Sequence, residues 1–277
     1  MQPSIFIGGV GGSGTRVLCS IAQSFGLNMG ADFNKAQDAL WFSLLFMHPG
    51  MMACPEKKFK DLANLYKKAF IGGGLNETEN AYIIDLGKIH HARWTSDWVR
   101  ERAESFIEHA HNEPRNGQWG WKEPNSHIFA ERFLEIWPDV RYIHMWRDGV
   151  DMSISKNQNQ IKFWGEEYPG GRYNVSKRSS LSYWVNVHKN IVRLAHRFPG
   201  RVSFLNFEDL CENPYSEIQN FLACFGGVAK SAKLVEMCEL VRPPETIGRG
   251  DINNVSEYNL ADYDYALNFR HHICELK

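Results

Sequence analysis

Residues 5–18 constrain this chain most, because they join a short apolar run, a glycine-rich loop and a helix-like pattern in direct succession. The apolar, partly β-branched residues 5–7 predict a buried strand. Five of the seven positions 8–14 are glycine, which lets successive backbone N–H groups turn toward one point, and the helix start adds partial positive charge. A tight connection without a ligand is the alternative. The polar side chains of Ser13, Thr15 and Arg16 at the mouth of the loop favour an anion site instead.

The loop differs from the pattern that binds nucleoside triphosphates. Gly9 and Gly14 have the spacing of G-x-x-x-x-G-K-[ST], but Thr15 and Arg16 follow where that pattern has lysine and then serine or threonine. That lysine reaches the β- and γ-phosphates, and the hydroxyl holds Mg²⁺. The sequence therefore disfavours an ordinary ATP or GTP hydrolase and favours a single phosphate.

The order of predicted elements indicates an α/β fold, a P-loop-like parallel sheet flanked by helices on both faces. Further strands are predicted at 118–121, 141–146 and 202–207. Between the first and second strands, we predict a mainly helical insertion over residues 30–111 that shapes an acceptor site, within one domain over 1–277. Helices are predicted at 15–25, 35–47, 57–70, 96–111, 126–136 with Ser126 as N-cap, 149–159, 181–197, 214–225 and 231–241, with a final helical tail.

Composition argues against several classes of protein. The 31 basic and 32 acidic residues leave no footprint for non-specific nucleic-acid binding. The six cysteines form no CxxC pair, which argues against a zinc cluster and is typical of reduced thiols in a cytosolic protein. The N-terminus lacks a signal-peptide pattern, and the most apolar segment, 39–47, is too short to span a bilayer. We therefore predict a cytoplasmic protein.

A second anion site is predicted where the strand at 141–146 ends. Arg147 follows this strand directly, and ligands of open α/β sheets bind at the carboxyl ends of the strands. Ser155 comes eight residues later, two turns into the predicted helix, and can add a hydroxyl donor to the same anion. A surface ion pair for Arg147 and a plain helix position for Ser155 are the alternatives.

With the glycine-rich loop and the Arg147–Ser155 pair together, the chain resembles sulfotransferases that use 3′-phosphoadenylyl sulfate (PAPS). The resemblance is to the bacterial and tyrosylprotein branch of that family. Ser13-Gly14-Thr15 is similar to the family element that binds the 5′-phosphosulfate, and Arg147 with Ser155 to the element that binds the 3′-phosphate. Residues 121–124 (WKEP) and 207–210 (FEDL) are similar to two further elements. The resemblance covers residues 4–225. It implies transfer of a sulfuryl group to a hydroxyl or amine of a carbohydrate, peptide or small molecule, with adenosine 3′,5′-bisphosphate as product.

The resemblance also implies which residues bind the donor. The backbone N–H groups of residues 11–15 hold the 5′ end, while Arg147 and Ser155 hold the 3′-phosphate. Arg249, in the late loop 246–250, resembles an arginine that covers this phosphate, with an exposed loop arginine as the alternative. The implied donor-binding residues are Gly11, Gly12, Ser13, Gly14, Thr15, Arg16, Arg147, Ser155 and Arg249.

Gly12 departs from the family pattern, which has lysine or arginine just before the serine. Another cation must therefore stabilise the transferring group. We expect Lys122, at the end of a predicted strand, to act on the bridging oxygen and Arg16 on the sulfonate or 5′-phosphate. A solvated turn lysine is the alternative for Lys122. No metal is expected, because these cations take the place of Mg²⁺.

No motif fixes the base that takes the proton from the acceptor. Asp38 lies in the predicted helix after the first loop, broadly where tyrosylprotein sulfotransferases place an acid. Glu123, beside Lys122, is the second candidate, and Asp32 and His127 are less favoured. A solvated helix-surface acid is the alternative for Asp38.

Two other functions stay open at this point. A small-molecule kinase would bind ATP and Mg²⁺, and a nucleotide-binding protein without catalysis is compatible with Gly12. The acceptor is not identified by the sequence. The amide-rich run 156–160, followed by aromatic residues at 163, 164 and 168, suits sugars or planar acceptors, or else packs a loop.

Overall fold

The computed structural model describes residues 2–89, 93–250 and 255–274, and it has a four-stranded parallel sheet with the order β2-β1-β3-β4. The strands are β1 (Ser4–Gly8), β2 (Gly120–Lys122), β3 (Val140–Trp146) and β4 (Val202–Asn206). Ile7 of β1 pairs with Lys122 on one side and Ile143 on the other. Because all strands are parallel, their carboxyl ends meet at one edge of the sheet. The predicted α/β class is confirmed.

Helices cover both faces of this sheet. They are α1 (Thr15–Phe25), α2 (Leu40–Phe46), α3 (Glu56–Ile71), α4 (Glu77–Leu86), α5 (Ser96–Ala110), α6 (Ala130–Ile136), α7 (Gly149–Ser153), α8 (Asn159–Trp164), α9 (Lys177–Arg197), α10 (Phe207–Glu212), α11 (Pro214–Ala223), α12 (Ser231–Cys238), α13 (Leu260–Leu267) and α14 (Phe269–Cys274). Short 3₁₀ turns occupy Met51–Ala53, Pro124–Ile128 and Val255–Glu257. Helices α2 to α5 lie between β1 and β2, which confirms the helical insertion. Helices α4 and α10 were not predicted.

The alternation of side chains along β1 divides the core between the two faces. Phe6 belongs to the apolar cluster shared with α2, α3, α5 and α6, and its ring stacks on Trp121 with centroids 4.8 Å apart. Ile5 and Ile7 belong to the opposite cluster, shared with α1, α11 and α12. A strand buried on both faces is apolar throughout, which explains the uninterrupted run at 5–7.

The predicted helix at 35–47 is wrong in its first part, since α2 begins only at Leu40. The side-chain Oδ1 of Asn34 accepts from the N–H groups of Ala36 and Asp38 at 2.8 and 2.9 Å. Gln37 has a left-handed φ of 60°. Local side-chain bonding of this kind competes with a helix. Asp38 therefore lies in a loop and not on a helix.

The predicted helix at 149–159 is also wrong, because α7 ends at Ser153 and α8 begins at Asn159. The Gln158 side-chain amide donates to the carbonyls of Met152 and Ser155 at 3.2 and 2.8 Å, which stabilises a turn between the two helices. Ser155 is thus a loop residue and not two turns into a helix.

Ser126 does not cap the helix predicted at 126–136. It lies in a 3₁₀ turn, where its hydroxyl accepts from Trp121 Nε1 at 2.9 Å, and α6 follows at Ala130. All six cysteines are described and are free thiols. Across the described ranges, no helix combines the length and apolar character needed to cross a membrane.

Candidate active site

The glycine-rich loop connects β1 to α1 at the carboxyl edge of the sheet. Gly12 and Gly14 have left-handed φ values of 100° and 90°, which glycine adopts without strain. A Cβ on Gly14 would also lie 2.2 Å from the ring of Phe207. The Ser13 N–H donates to the Val10 carbonyl at 3.0 Å and closes a tight turn. Glycine at position 14 is therefore required by both backbone and packing.

Gln160 braces this loop from outside. Its Oε1 accepts from the Gly11 N–H at 3.0 Å, and its Nε2 donates to the Gly9 carbonyl at 3.1 Å. On the other side, the Gly9 N–H donates to the Pro124 carbonyl at 3.2 Å. The loop is thus held in one conformation by residues far away in the sequence.

Because of these contacts, only some of the backbone N–H groups predicted to bind an anion are available to it. The N–H groups of Gly11 and Ser13 already have protein partners, so they are not available to an anion. Those of Gly12, Gly14 and Thr15 have no partner among the described residues. The Ser13 hydroxyl is buried and also lacks a partner in the described part of the chain. An anionic group fits here, because buried polar atoms need partners.

A cleft of about 480 Å³ opens from this loop across the carboxyl ends of the strands. It brings together several of the residues that the sequence pointed to, which are Gly12, Gly14, Thr15, Arg16, Asp38, Lys122 and Arg147. Four basic side chains line it, against the single carboxylate of Asp38. They are Arg16, Lys122, Arg147 and Arg242. The cleft is therefore strongly complementary to a polyanion.

Lys122 is almost completely buried at the end of β2, with 1% of its side chain exposed. Its Nζ forms an ion pair with Asp38 and donates to the Ala36 carbonyl at 2.6 Å. The Lys122 carbonyl accepts from the Ala39 N–H at 2.9 Å. Lys122 of β2 and Asp38 of the insertion that precedes this strand, the two catalytic candidates, are thus direct partners.

Glu123 lies next to this pair and is also buried. Its Oε1 accepts from the backbone and side-chain N–H groups of Asn125 at 3.1 and 2.5 Å. Burial, together with the charge of Asp38, raises the pKa of Glu123 to about 7, against the opposing effect of Lys122. Glu123 can therefore exchange a proton near neutral pH.

Arg147 lies on the cleft wall with its guanidinium held by several groups. It donates to the carbonyl and hydroxyl of Thr246, and lies 3.5 Å from a Glu208 carboxylate oxygen and 3.7 Å from one of Asp151. The Phe207 ring lies below it, with its centroid 5.5 Å from the guanidinium carbon. These contacts fix the orientation of the arginine.

The late loop is arranged differently from the prediction. Arg249 donates to the Asp151 carbonyl at 3.1 Å and does not line the cleft, whereas Arg242 and Thr246 do. The Asp151 carboxylate accepts from the N–H groups of Gly248 and Gly250 at 2.7 and 2.6 Å. Asp151 therefore anchors the loop that carries Thr246 to Arg147.

The remaining predicted residues fall into two groups. Ser155 adjoins the glycine-rich loop, since a Cβ on Gly12 would lie 3.7 Å from its hydroxyl, although it does not line the cleft. Asp32 forms an ion pair with Arg102 at 2.8 Å. His127 is fully buried and bonded to the Pro124 carbonyl and Tyr183 hydroxyl, and burial lowers its pKa to about 4. Neither is placed as a base for the cleft.

A second pocket of about 230 Å³ adjoins the cleft and shares Asp38, Pro124 and Asn157 with it. Gly11 and Glu123 line this pocket and not the cleft. The insertion contributes one wall, formed by Leu40 and Ser43 of α2 and by Met47, the residue after this helix. The glycine-rich loop thus contributes to two volumes. The cleft is lined by basic side chains, and the second pocket is lined by the carboxylates of Asp38 and Glu123.

Sequence reasoning missed Gln160 as a brace, Asp151 as an anchor and Arg242 as a cleft residue. Gln160 contacts Gly11 across 149 positions of the chain and Asp151 contacts Gly248 across 97, while Arg242 reaches the cleft from the late loop. Asp151 did stand between Arg147 and Ser155 in the motif, which was the one available signal.

The sequence matches the model of the sulfotransferase family over residues 3–227. No curated protein gives a significant match. A sulfotransferase structure from Mycobacterium avium is 11% identical, covering 97% of this chain and 76% of that chain with a TM-score of 0.49. One from Alicyclobacillus acidocaldarius is 16% identical, covering 98% and 96% with a TM-score of 0.48. Retinol dehydratase in complex with androsterone and the inactive cofactor PAP is 14% identical, covering 96% and 70% with a TM-score of 0.41.

A family match over most of the chain identifies its class. The chain belongs to the sulfotransferase family.

Proposed function

We propose that this protein transfers a sulfuryl group from PAPS to a hydroxyl or amine of an acceptor, releasing adenosine 3′,5′-bisphosphate. The observation that carries this proposal is the cleft, which joins the available N–H groups of the glycine-rich loop to four basic side chains. PAPS carries a phosphosulfate at the 5′ position of its ribose and a phosphate at the 3′ position, so it needs two anion sites on one surface. Membership of the sulfotransferase family supports the reaction class.

The glycine-rich loop binds the 5′ end of the donor. The N–H groups of Gly12, Gly14 and Thr15 and the hydroxyl of Ser13 are the donors available there. They lead into the N-terminus of α1, where the helix dipole favours negative charge. Arg16 is exposed at the same mouth and adds a charge to the sulfonate or 5′-phosphate.

Arg147 binds the 3′-phosphate, with Ser155 as the second donor carried over from the family resemblance. Arg242 is a further cation on the same cleft, contributed by the late loop. Because Arg147 is held by Thr246 and two carboxylates, its guanidinium is oriented before the donor arrives.

Lys122 stabilises the charge that develops when sulfuryl transfer begins. An ammonium group has three N–H donors, and two of those of Lys122 are engaged by Asp38 and the Ala36 carbonyl. The third is available to the bridging oxygen of the donor. The new bond forms between sulfur and the acceptor atom, while the bond from sulfur to the bridging oxygen breaks and its electron pair stays on the departing bisphosphate.

Asp38 accepts the proton that the acceptor loses in this step. It is the carboxylate that lines both the cleft and the adjoining pocket, so it lies between donor and acceptor volumes. Glu123 is the second candidate, because it lines the acceptor pocket and its pKa of about 7 suits proton transfer at neutral pH.

Calorimetry with adenosine 3′,5′-bisphosphate and with ATP, followed by assays of labelled sulfate transfer from PAPS, tests this function. We expect the bisphosphate to bind more tightly than ATP and the label to reach an acceptor. Preference for ATP with turnover that depends on Mg²⁺ would indicate a kinase. Bisphosphate binding without release of sulfate from PAPS would indicate a nucleotide-binding protein without catalysis.

A further inference from the structure

We propose that the pocket of about 230 Å³ beside the cleft binds a neutral, polyhydroxylated acceptor, a sugar unit whose hydroxyl is presented to Asp38. This proposal rests on the proposed sulfotransferase function and adds the class of acceptor. The pocket is smaller than the roughly 300–1,000 Å³ of sites for drug-sized ligands. It therefore receives one ring, and a longer glycan extends through the open side.

The wall of the pocket is polar. Leu40, Met47, Trp94 and Pro124 contribute apolar side chains, and they are outnumbered by amide, hydroxyl and charged ones. A pocket for a steroid or a phenol is lined mainly by hydrophobic and aromatic groups. An apolar acceptor in this pocket would take the exposed amide of Asn159 out of water without giving it a partner, which is costly. The lining therefore favours an acceptor rich in hydroxyl groups.

The amides differ in the hydrogen bonds that they can offer. Asn125 is engaged by Glu123 and by Trp164 Nε1, and Gln160 by the glycine-rich loop. Asn159 is exposed, and among the described residues its side-chain amide has no partner. An uncharged amide offers a donor and an acceptor side by side, which matches a hydroxyl that does both.

Charge argues for a neutral sugar. Two carboxylates, Asp38 and Glu123, face the pocket against one guanidinium, that of Arg93. Asp38 is already paired with the buried lysine of β2, and Glu123 faces the guanidinium, so the pocket has no surplus cation for a phosphorylated or carboxylated acceptor. Trp94 adds an aromatic wall, and its ring stacks on Trp98 with centroids 4.6 Å apart. An indole face fits the apolar C–H face of a sugar ring.

The test compares acceptors with the full chain and labelled PAPS. Methyl glycosides of glucose, galactose and mannose are compared at equal concentration with 2-naphthol and a tyrosine peptide. We expect transfer to at least one glycoside to exceed transfer to the other two acceptors by roughly tenfold or more. Faster transfer to 2-naphthol or the peptide, with the glycosides inert, would overturn the proposal and leave the sulfotransferase function intact.

Asn159→Ala tests the pocket itself. We expect the KM for the glycoside to rise roughly tenfold, the value of one lost hydrogen bond, with bisphosphate affinity unchanged. Asn116→Ala is the matched control, because Asn116 is exposed in the segment before β2 at the opposite edge of the sheet. An unchanged KM in Asn159→Ala would contradict the proposal.

Saturation-transfer NMR with adenosine 3′,5′-bisphosphate and the glycoside separates the two possible failures. Bisphosphate binding without glycoside binding would overturn the acceptor assignment alone. Absence of bisphosphate binding would overturn the proposed function, and the acceptor assignment would fail with it.

Discussion

Lys122 is a charged residue that is almost completely buried. Two of the three N–H donors of its Nζ have protein partners. We expect Lys122→Ala to lower kcat by about 10²–10³-fold, because a developing negative charge loses its cation. The affinity for adenosine 3′,5′-bisphosphate should stay within about threefold, since the loop and Arg147 are untouched. Steady-state kinetics and calorimetry check both parts. Lys233→Ala on α12, which removes a partly exposed lysine paired with Glu236, is the control. A wild-type rate in Lys122→Ala would assign the role to Arg16.

Arg147 provides a more selective test. We expect Arg147→Ala to weaken binding of adenosine 3′,5′-bisphosphate by about 10–100-fold, the usual effect of losing a charge-assisted hydrogen bond. Binding of adenosine 5′-phosphate should change much less, since it lacks the 3′-phosphate. Arg197→Ala, which removes surface ion pairs to Glu131 and Glu135, is the control. Equal losses for both nucleotides would show that Arg147 does not bind the 3′-phosphate.

Glu123 makes stability depend on pH. Its pKa is about 4.5 in the unfolded chain and about 7 in the folded one. Between these values the folded state keeps a proton that the unfolded state has lost, so the free energy of unfolding falls as the pH rises. We expect Glu123→Gln to gain about 1–3 kcal/mol relative to wild type between about pH 5 and about pH 8.

Urea denaturation at both pH values measures this effect. Glu113→Gln, at an exposed position before β2, is the control and should show no such change. The same stability difference at both pH values would contradict the raised pKa of Glu123.

At the level of single residues, the sequence identified Asp38 separately from the adjacent Lys122 and Glu123, and the structure shows Asp38 as their neighbour. Their proximity depends on the Asn34 side chain, which folds residues 34–38 back toward β2. Such a loop has no periodicity, so its path could not be predicted. The engagement of the Gly11 N–H was hidden for another reason, since its partner Gln160 is 149 positions away.

At the level of elements, α8 supports the glycine-rich loop through Gln160. We expect Gln160→Ala to weaken bisphosphate binding by about 3–10-fold, because the Gly9 and Gly11 backbone groups lose their partners and the loop becomes less ordered. Gln118→Ala is a matched control, because the Gln118 side chain also bonds two backbone groups, donating to the carbonyls of Pro3 and Phe225 at the far edge of the sheet.

Calorimetry and thermal unfolding separate the two variants. Both should lower Tm, whereas only Gln160→Ala should lower affinity. An affinity loss of the same size in Gln118→Ala would show that general destabilisation, and not loop bracing, is responsible.

The strands and the long helices were predictable because their signals are local. Apolar runs marked β1 and β3, and helical spacing with Gly26 marked α1. Errors came where side chains bond to the backbone. Gln158 ends one helix early, and α10 was missed because Phe207 begins it directly after β4 with Asn206 as its cap. Helix propensities do not account for side chains that compete for backbone hydrogen bonds in this way.

At the level of the whole molecule, Asp151 connects the sheet edge to the C-terminal part of the chain. Its carboxylate holds Gly248 and Gly250, and it has 2% of its surface exposed. We expect Asp151→Ala to lower the free energy of unfolding by about 2–4 kcal/mol, because two backbone N–H groups and Arg147 lose a buried partner. Trypsin should also cut faster near Arg249.

Urea denaturation and limited proteolysis, with and without bisphosphate, measure these changes. Asp264→Ala is the control. The Asp264 carboxylate lies on the surface of α13 and accepts from the side-chain amide of Asn268, the residue that follows this helix. Unchanged stability and unchanged cleavage in Asp151→Ala would show that the late loop is held by its other contacts.

The attachment of residues 36–39 to Lys122 has a consequence for redesign. The start of the insertion is bonded to this lysine through the Ala36 carbonyl, the Asp38 carboxylate and the Ala39 N–H. A graft that replaced the whole insertion to change the acceptor would also release the lysine. Engineering of acceptor preference should therefore keep residues 34–39 and begin its exchanges at Leu40, where α2 starts.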